Sequence, residues 1–381
     1  MSQAPSLRRH HSTFSPFSTT PTSCREAQAH VSTETVDMPL MIEYDEFYVS
    51  DDGIARTFYE LHATGSTKKP PFAIEERYDL KQAKKTFVLR KPAPDENSPH
   101  SSNEDQDAQP EVLSRNSLGA VDLGKVITSV HIQEIDQGVF GSAGTGATTW
   151  EASLAMALYF GTQRHQLSGN VVELGCGVGV GSILNILAST LDHRERSHVK
   201  SVTLTDGNDE VLQQCRSNVH QALAGVPPST RPPISIKNLE WKEAFESLDR
   251  CSDILGGAKY KTVIACDCAY RHQAIKPLSE TLASILQPEG TIHMFGPYNR
   301  SAFLETCRYL SRELNLDVTL EWVEINRYRL KPASEIEGSG WSEKDDGSFA
   351  SQCAAKFLHV IAHHKRDSSN HKADESLFDI D

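Results

Sequence analysis

The stretch that decides how the chain is read is Val171-Val172-Glu173-Leu174-Gly175-Cys176-Gly177-Val178-Gly179-Val180-Gly181. An apolar run ends in an acid, breaks into alternating glycines and passes into apolar residues at helical spacing: Val180, Ile183, Leu184, Leu187 and Leu191. The pattern predicts a buried strand, a tight turn and a helix N-terminus. Glycine lacks the Cβ that would keep a ligand away from the backbone, so such a turn lets bare main chain approach a bound group. A turn serving only as a connection has no need of four glycines, each of which loses more chain entropy on folding than any other residue.

Outward from this turn, strand and helix signals alternate. Val199 to Thr205 reads as a second strand ending at Asp206, and Val211, Leu212, Cys215, Val219 and Leu223 mark the helix after it. Ile234 to Trp241 and Thr262 to Asp267 are a third and fourth strand, followed by a helix over 273–286 that stops at Gln287-Pro288-Glu289-Gly290. Thr291 to Phe295 is a fifth strand, with a helix carrying Phe303, Leu304, Cys307, Leu310 and Leu314. Val318–Ile325 and Ala354–Ile361 follow with no helical pattern between them, which predicts an antiparallel pair. The expectation is an α/β fold: a Rossmann-like, seven-stranded, mostly parallel, doubly wound sheet with an antiparallel last strand.

Upstream, Trp150, Leu154, Ala157 and Leu158 form one helical face, with Thr148 and Glu151 at capping-box spacing. Val126 to Ile132 alternates like a strand, and 38–90 carries short strand-like runs that suggest a small β-rich extension. Residues 91–119 are rich in Pro, Ser, Asn, Asp and Glu and read as a disordered acidic, polar linker; 366–381 read as a disordered tail. The main domain is expected over 120–365. Residues 1–37 read as a disordered tail, or alternatively as an organelle targeting segment, since Arg8, Arg9 and Arg25 precede any usable acid and Ser is frequent.

Composition narrows the class. A hydrophobic fraction of 38% and a mean hydropathy of −0.43 are polar for a compact globule and agree with disordered segments. A net charge of −13 argues against a broad nucleic-acid-binding face. The 8 cysteines include no C-x-x-C pair, and Cys176, Cys266 and Cys268 lie in apolar or motif segments, as free thiols of a reducing compartment would. No metal site is expected, and no apolar run reaches membrane-spanning length. A monomer in the cytoplasm is the expectation, with an organelle or the nucleus as alternatives.

In a doubly wound sheet ligands bind beyond the carboxyl ends of the strands. Here those ends carry Glu173 with its glycines, then Asp206, then Asp267. A dinucleotide fingerprint is a near miss, because the third-glycine place is Val180 in one frame and Ser182 in the other. S-adenosylmethionine has no phosphate; it needs close backbone contact and an acid for its ribose. Asp206, 33 positions after Glu173 against the roughly 20 of a dinucleotide fold, supplies the acid.

Glu173-Leu-Gly-Cys-Gly-x-Gly, Leu204-Thr205-Asp206-Gly207-Asn208 and Asp267-Cys268-Ala269-Tyr270 together resemble the seven-β-strand methyltransferases of the protein-lysine type, which act on calmodulin, chaperones and translation elongation factors. Thr149-Trp150-Glu151-Ala152, Asn218-Val219 and Leu239-Glu240-Trp241 extend the resemblance, which spans about 126–364. It implies S-adenosylmethionine as cofactor, bound by Glu173, Gly175, Cys176, Gly177, Gly179, Asp206, Gly207 and Asn208, with Gly175, Cys176 and Gly177 at its methionine end and Asp206 at its ribose hydroxyls. It further implies Trp241 and Cys266 at the adenine or the cofactor's edge, and Trp150 closing the pocket. Asp267 and Tyr270 would orient a lysine of a protein substrate. Cys268-Ala269 departs from the apolar pair common between that Asp and Tyr. Phe295-Gly296-Pro297-Tyr298-Asn299-Arg300 is similar to the calmodulin-directed branch. A small-molecule or RNA methyltransferase on the same fold, and an inactive cofactor-binding scaffold, are the alternative readings.

Overall fold

A computed structural model describes residues 54–61, 72–79, 84–91, 125–135, 144–191, 198–241, 248–330 and 351–365. The strand-like runs at 41–49, the linker and both tails lie outside the described residues.

The strands are β1 (Ile54–Leu61), β2 (Ala73–Asp79), β3 (Lys84–Lys91), β4 (Lys125–Ile132), β5 (Gly169–Leu174), β6 (Val199–Asp206), β7 (Ile234–Asn238), β8 (Tyr260–Cys266), β9 (Leu286–Pro297), β10 (Leu316–Leu330) and β11 (Ser351–His364). The helices are α1 (Glu151–Thr162), α2 (Val180–Leu191), α3 (Asp209–Ala222), α4 (Leu248–Leu255), α5 (Ile275–Ile285) and α6 (Ser301–Arg312). All the strands join one 11-stranded sheet in the order β4-β3-β2-β1-β10-β11-β9-β8-β5-β6-β7. Its seven-stranded part runs from β7 to β10. There β5 to β9 pair in parallel, and β11 inserts antiparallel between β9 and β10. The expected α/β architecture is thereby observed, including the antiparallel pairing of the two late strands.

The strand sequences explain their place. Val171, Val172 and Leu174 of β5 are all buried, as a strand covered on both faces requires. Alternation sends Val171 and Glu173 to the face covered by α1, α2 and α3, and Val172 and Leu174 to the face covered by α4, α5 and α6. Strand order reverses between β5 and β8, so the crevice of a doubly wound sheet opens at the carboxyl ends of these two strands.

The extension continues the sheet through β1, which pairs antiparallel with the second half of β10. It shares the first core: Tyr59, Phe72, Ile74, Phe87, Leu89, Val130 and Ile132 pack with the residues of α1. Gly161 permits this contact, because a Cβ there would stand 2.1 Å from the Phe72 ring. The helix α1 is therefore buried on nearly every side, from Ala152 through Gly161. The strand expected at 126–132 forms as β4, but at the outer edge of the extension, paired with β3.

Helix α1 starts later than the capping-box spacing of Thr148 and Glu151 predicts. Trp150 occupies the N-cap with no side-chain bond to the helix. Two ion-paired acids set this start instead: Glu134 accepts the Thr149 amide at 2.6 Å, and Glu151 accepts from Arg327 of β10 at 2.7 Å. Glu134 is itself paired with Lys85 of β3 at 3.0 Å, which ties the extension to the approach to the crevice.

Candidate active site at the switch point of the sheet

The glycine turn after β5 uses its glycines individually. Gly175, Gly177 and Gly179 take φ of +66°, +54° and +88°, a region costly for residues with a Cβ. A Cβ on Gly175 would stand 2.6 Å from Cys268 Sγ and 3.1 Å from the Trp241 ring; one on Gly177 would stand 3.0 Å from the Gly146 carbonyl oxygen. Gly181 is different: it lies in α2, where a Cβ would strike Met156 of α1 at 2.3 Å, so it serves helix packing.

Two acids stand behind this turn. Asp206 Oδ2 accepts the Gly177 amide at 3.1 Å and Oδ1 accepts the Asn208 amide at 3.0 Å. Burial pushes its carboxyl up, and those amide bonds pull it back. Glu173 is buried and accepts a hydrogen bond from the Ser182 hydroxyl. Burial pushes it from 4.5 to about 7, with the Ser182 bond lowering it and the nearby Asp206 charge raising it. A buried acid close to neutrality at physiological pH can be held ionised by a cation placed beside it.

The other expected cofactor-binding residues divide. Asn208 is the N-cap of α3, its side-chain oxygen accepting from the Glu210 and Val211 amides. Gly207 lies against Glu240, where a Cβ would meet only ordinary contacts from 3.5 Å. Trp241 lies across Gly175, and its Nε1 is buried without a hydrogen-bond partner. Cys176 Sγ lies 3.9 Å from Cys215 Sγ; its bond to Cys215 and its burial both push the thiol well up. Burial does the same to Cys266 at the end of β8. Neither sulfur is a nucleophile at neutral pH. The residues fit S-adenosylmethionine: bare backbone at three left-handed glycines, a buried and a half-buried acid, and an aromatic ring with an unanswered donor over the turn.

Asp267 follows β8 with φ of +49°, a strained conformation for a residue with a side chain. Its amide is held by the Phe295 carbonyl at 2.7 Å. Burial pushes its carboxyl from 3.8 to about 6, against the lowering effect of Arg300, whose Nη2 lies 3.2 Å from Oδ2. Tyr270 and Trp150 are among the exposed large aromatics, and Thr145 joins them: its hydroxyl donates to Tyr270 Oη at 3.0 Å, and its carbonyl accepts from Trp150 Nε1 at 2.8 Å. Asp267, Tyr270 and Trp150 are thus linked through Arg300 and Thr145.

Three residues here escape a reading of the sequence. Thr145 sits in a glycine-rich stretch with no signal of its own. Arg300 ends the Phe295–Arg300 stretch quoted for the resemblance, which gives it no role of its own. Cys268 stands out only as a small residue where a bulkier apolar one is common; its thiol donates to the Leu174 carbonyl at 3.1 Å beneath Gly175, a space too small for a larger side chain.

Residues 132–305 match the lysine methyltransferase family. This part of the chain is similar to that family. The chain is 29% identical over 206 residues to "EEF1A lysine methyltransferase 3" of Mus musculus, covering 53% of this chain and 78% of that protein. It is 28% identical over 180 residues to "Protein N-lysine methyltransferase METTL21A" of Mus musculus, covering 47% and 68%. It is 27% identical over 159 residues to "Protein N-terminal and lysine N-methyltransferase EFM7" of Cryptococcus neoformans, covering 41% and 48%. The cofactor of this lysine methyltransferase domain is S-adenosylmethionine.

Proposed function

We propose that the crevice beyond β5, β6 and β8 methylates the ε-amine of a lysine on a protein substrate, with Asp267 and Tyr270 as the groups that meet the lysine. The observation that carries this reading is Asp267: a carboxylate only 7% exposed on strained backbone, one strand from the glycine turn and linked through Arg300 and Thr145 to two exposed aromatic rings.

S-adenosylmethionine supplies, when bound, a methyl group on a positively charged sulfur. The residues of the chain bind, align and exclude water. Gly175, Gly177 and Gly179 offer close backbone, with Cys176 between the first two. Glu173 provides a buried acid for the ammonium of the amino-acid end, and the half-buried Asp206 an acid for the ribose hydroxyls. Asn208 and Gly207 contribute through the turn that aims Asp206, as Asn208 caps α3 and donates its amide to that carboxylate. Trp241 and Cys266 bound the edge of the same pocket.

Lysine must attack as the neutral amine, although its ordinary pKa is near 10.4. Asp267 draws the ammonium into the crevice. The surrounding burial and the cofactor's positive charge then favour loss of its proton. Tyr270 and Trp150, held at one spacing by Thr145, form walls that align the amine. Holding reacting groups in line can be worth roughly 7–11 kcal/mol of barrier, so alignment is the main contribution of these side chains.

For the substrate we propose a translation elongation factor. The name of the first relative, an EEF1A lysine methyltransferase, supports this over a calmodulin or chaperone substrate. We further propose a reducing compartment, the cytoplasm, on the support of the free, buried thiols Cys176, Cys215, Cys251, Cys266, Cys268 and Cys307. The test is to incubate the full chain with methyl-labelled cofactor and purified elongation factor 1A, calmodulin or a chaperone in parallel. Label on the elongation factor is expected; label on one of the others alone overturns the substrate assignment.

A further inference from the structure

The carboxylate of Asp267 already holds a cation. Arg300 Nη2 lies 3.2 Å from Asp267 Oδ2, and the same guanidinium stands 5.8 Å from the centre of the Trp150 ring. A buried carboxylate and an aromatic ring that share one cation suit an alkylammonium group, because both attract positive charge. Arg300 therefore sits where the incoming lysine has to place its charge.

We propose that Arg300 is an internal occupant of the lysine site, a side chain that covers Asp267 and Trp150 until the substrate lysine displaces it. This rests on the reading of Asp267 as the group that meets the lysine.

The manner in which Arg300 is held suits displacement. Its contact with Asp267 is a single-nitrogen one, where a fork-to-fork pair would use two, and its side chain is 33% exposed against 7% for Asp267. The carboxylate belongs to the site; the guanidinium reaches in from its edge. Its backbone is anchored independently of the side chain. The Arg300 amide donates to the Pro297 carbonyl at 3.3 Å, and its carbonyl accepts from the amides of Phe303 and Leu304. Arg300 stands at the N-cap of α6 with no side-chain bond to that helix, so the guanidinium can leave without unmaking the helix. The walls also stay in place, since the Thr145 contacts to Tyr270 and Trp150 do not involve Arg300.

The occupant has two effects. It neutralises a buried carboxylate that would otherwise stand uncompensated in the resting enzyme. It also imposes a selection, since only a substrate that brings further contacts with the surrounding surface makes up for the lost pair. A free amine or an isolated lysine is discriminated against, and a lysine on a folded protein is not.

The experiment is a titration of n-butylammonium chloride, the cationic end of a lysine side chain, into the full chain. It is followed by the Trp150 indole N–H resonance, identified with Trp150→Phe. Arg300→Gln is compared with the unaltered chain and with Asp267→Asn/Arg300→Gln, and unchanged cofactor affinity serves as the folding control. The expected result is binding roughly tenfold tighter in Arg300→Gln, the order set by one partly exposed ion pair plus one cation–aromatic contact, with loss of that binding in the double variant. In the transfer reaction Arg300→Gln lowers KM for the protein substrate with little change in kcat. Equal or weaker n-butylammonium binding in Arg300→Gln, with Asp267→Asn alone abolishing it, overturns the occupant while leaving the role of Asp267 standing. No response in any variant overturns both.

Discussion

Replacing Glu173 by Gln tests the electrostatics of the cofactor floor. The acid is buried, accepts from Ser182 and is pushed from 4.5 to about 7 by burial. A folded-state value above the unfolded one means that the folded chain prefers the protonated acid. Its stabilising contribution is present at low pH and is lost as pH rises through about 7. The displacement corresponds to a penalty of about 3 kcal/mol near pH 8, and under about 1 kcal/mol near pH 5. Glutamine keeps an oxygen for Ser182 and does not titrate. It also introduces a buried amide N–H₂ that can be left unpaired at a cost of about 1–3 kcal/mol, but that cost does not change with pH. The useful quantity is therefore a double difference: the stability of Glu173→Gln minus that of the unaltered chain should be about 2 kcal/mol more favourable near pH 8 than near pH 5. Denaturant unfolding of the cofactor-free chain at the two pH values reads it directly. A difference of the same size at both would refute the placement of a titrating acid here. Glu173→Gln should also weaken binding of the cofactor or its demethylated product by roughly tenfold, as expected for a lost charge-assisted contact.

Three further outcomes follow from the same geometry. Asp206→Ala should weaken cofactor binding by at least roughly tenfold in calorimetry, through the ribose contact and the loosened Gly177 amide; unchanged affinity would sink the ribose assignment. Asp267→Asn should leave cofactor affinity nearly unaltered and reduce transfer roughly 100-fold or more. In the unaltered enzyme kcat/KM should rise as pH increases through about 6, where Asp267 ionises, and that inflection should vanish in the variant. Gly175→Ala forces a Cβ to within 2.6 Å of Cys268 Sγ at a left-handed φ, and should cost roughly 1–3 kcal/mol in unfolding experiments. Adding Cys268→Ala should recover part of that loss, and no recovery would place the strain elsewhere.

The parallel part of the sheet is legible in the sequence because each strand announces itself locally. Runs such as Val171-Val172 and Val263-Ile264 are buried on both faces and end in an acid or a glycine. The strand ends carry most of the candidate site for the same reason: Glu173, Asp206 and Asp267 each follow an apolar run. What the sequence does not reveal depends on distant partners. The pairing of β1 with β10 joins Thr57 to Arg329, and nothing local to either strand marks the other. The start of α1 moves from the spacing of Thr148 to Trp150 because Glu151 finds Arg327, a contact made only once β10 is in place. Arg300 and Thr145 were invisible as site residues because their meaning lies in what they touch, Asp267 and Trp150 for one, Tyr270 and Trp150 for the other.

The central claim is that the Asp267 crevice transfers a methyl group to protein lysine. The most direct measurement uses a lysate from cells lacking the chain, incubated with the purified protein and methyl-labelled S-adenosylmethionine, then separated into protein, RNA and small molecules, with mass spectrometry of the labelled fraction. The account predicts label on the ε-nitrogen of lysine in protein, present with the unaltered chain and absent with Asp267→Asn. Label on RNA or on a metabolite, or lysine label undiminished by Asp267→Asn, would contradict it.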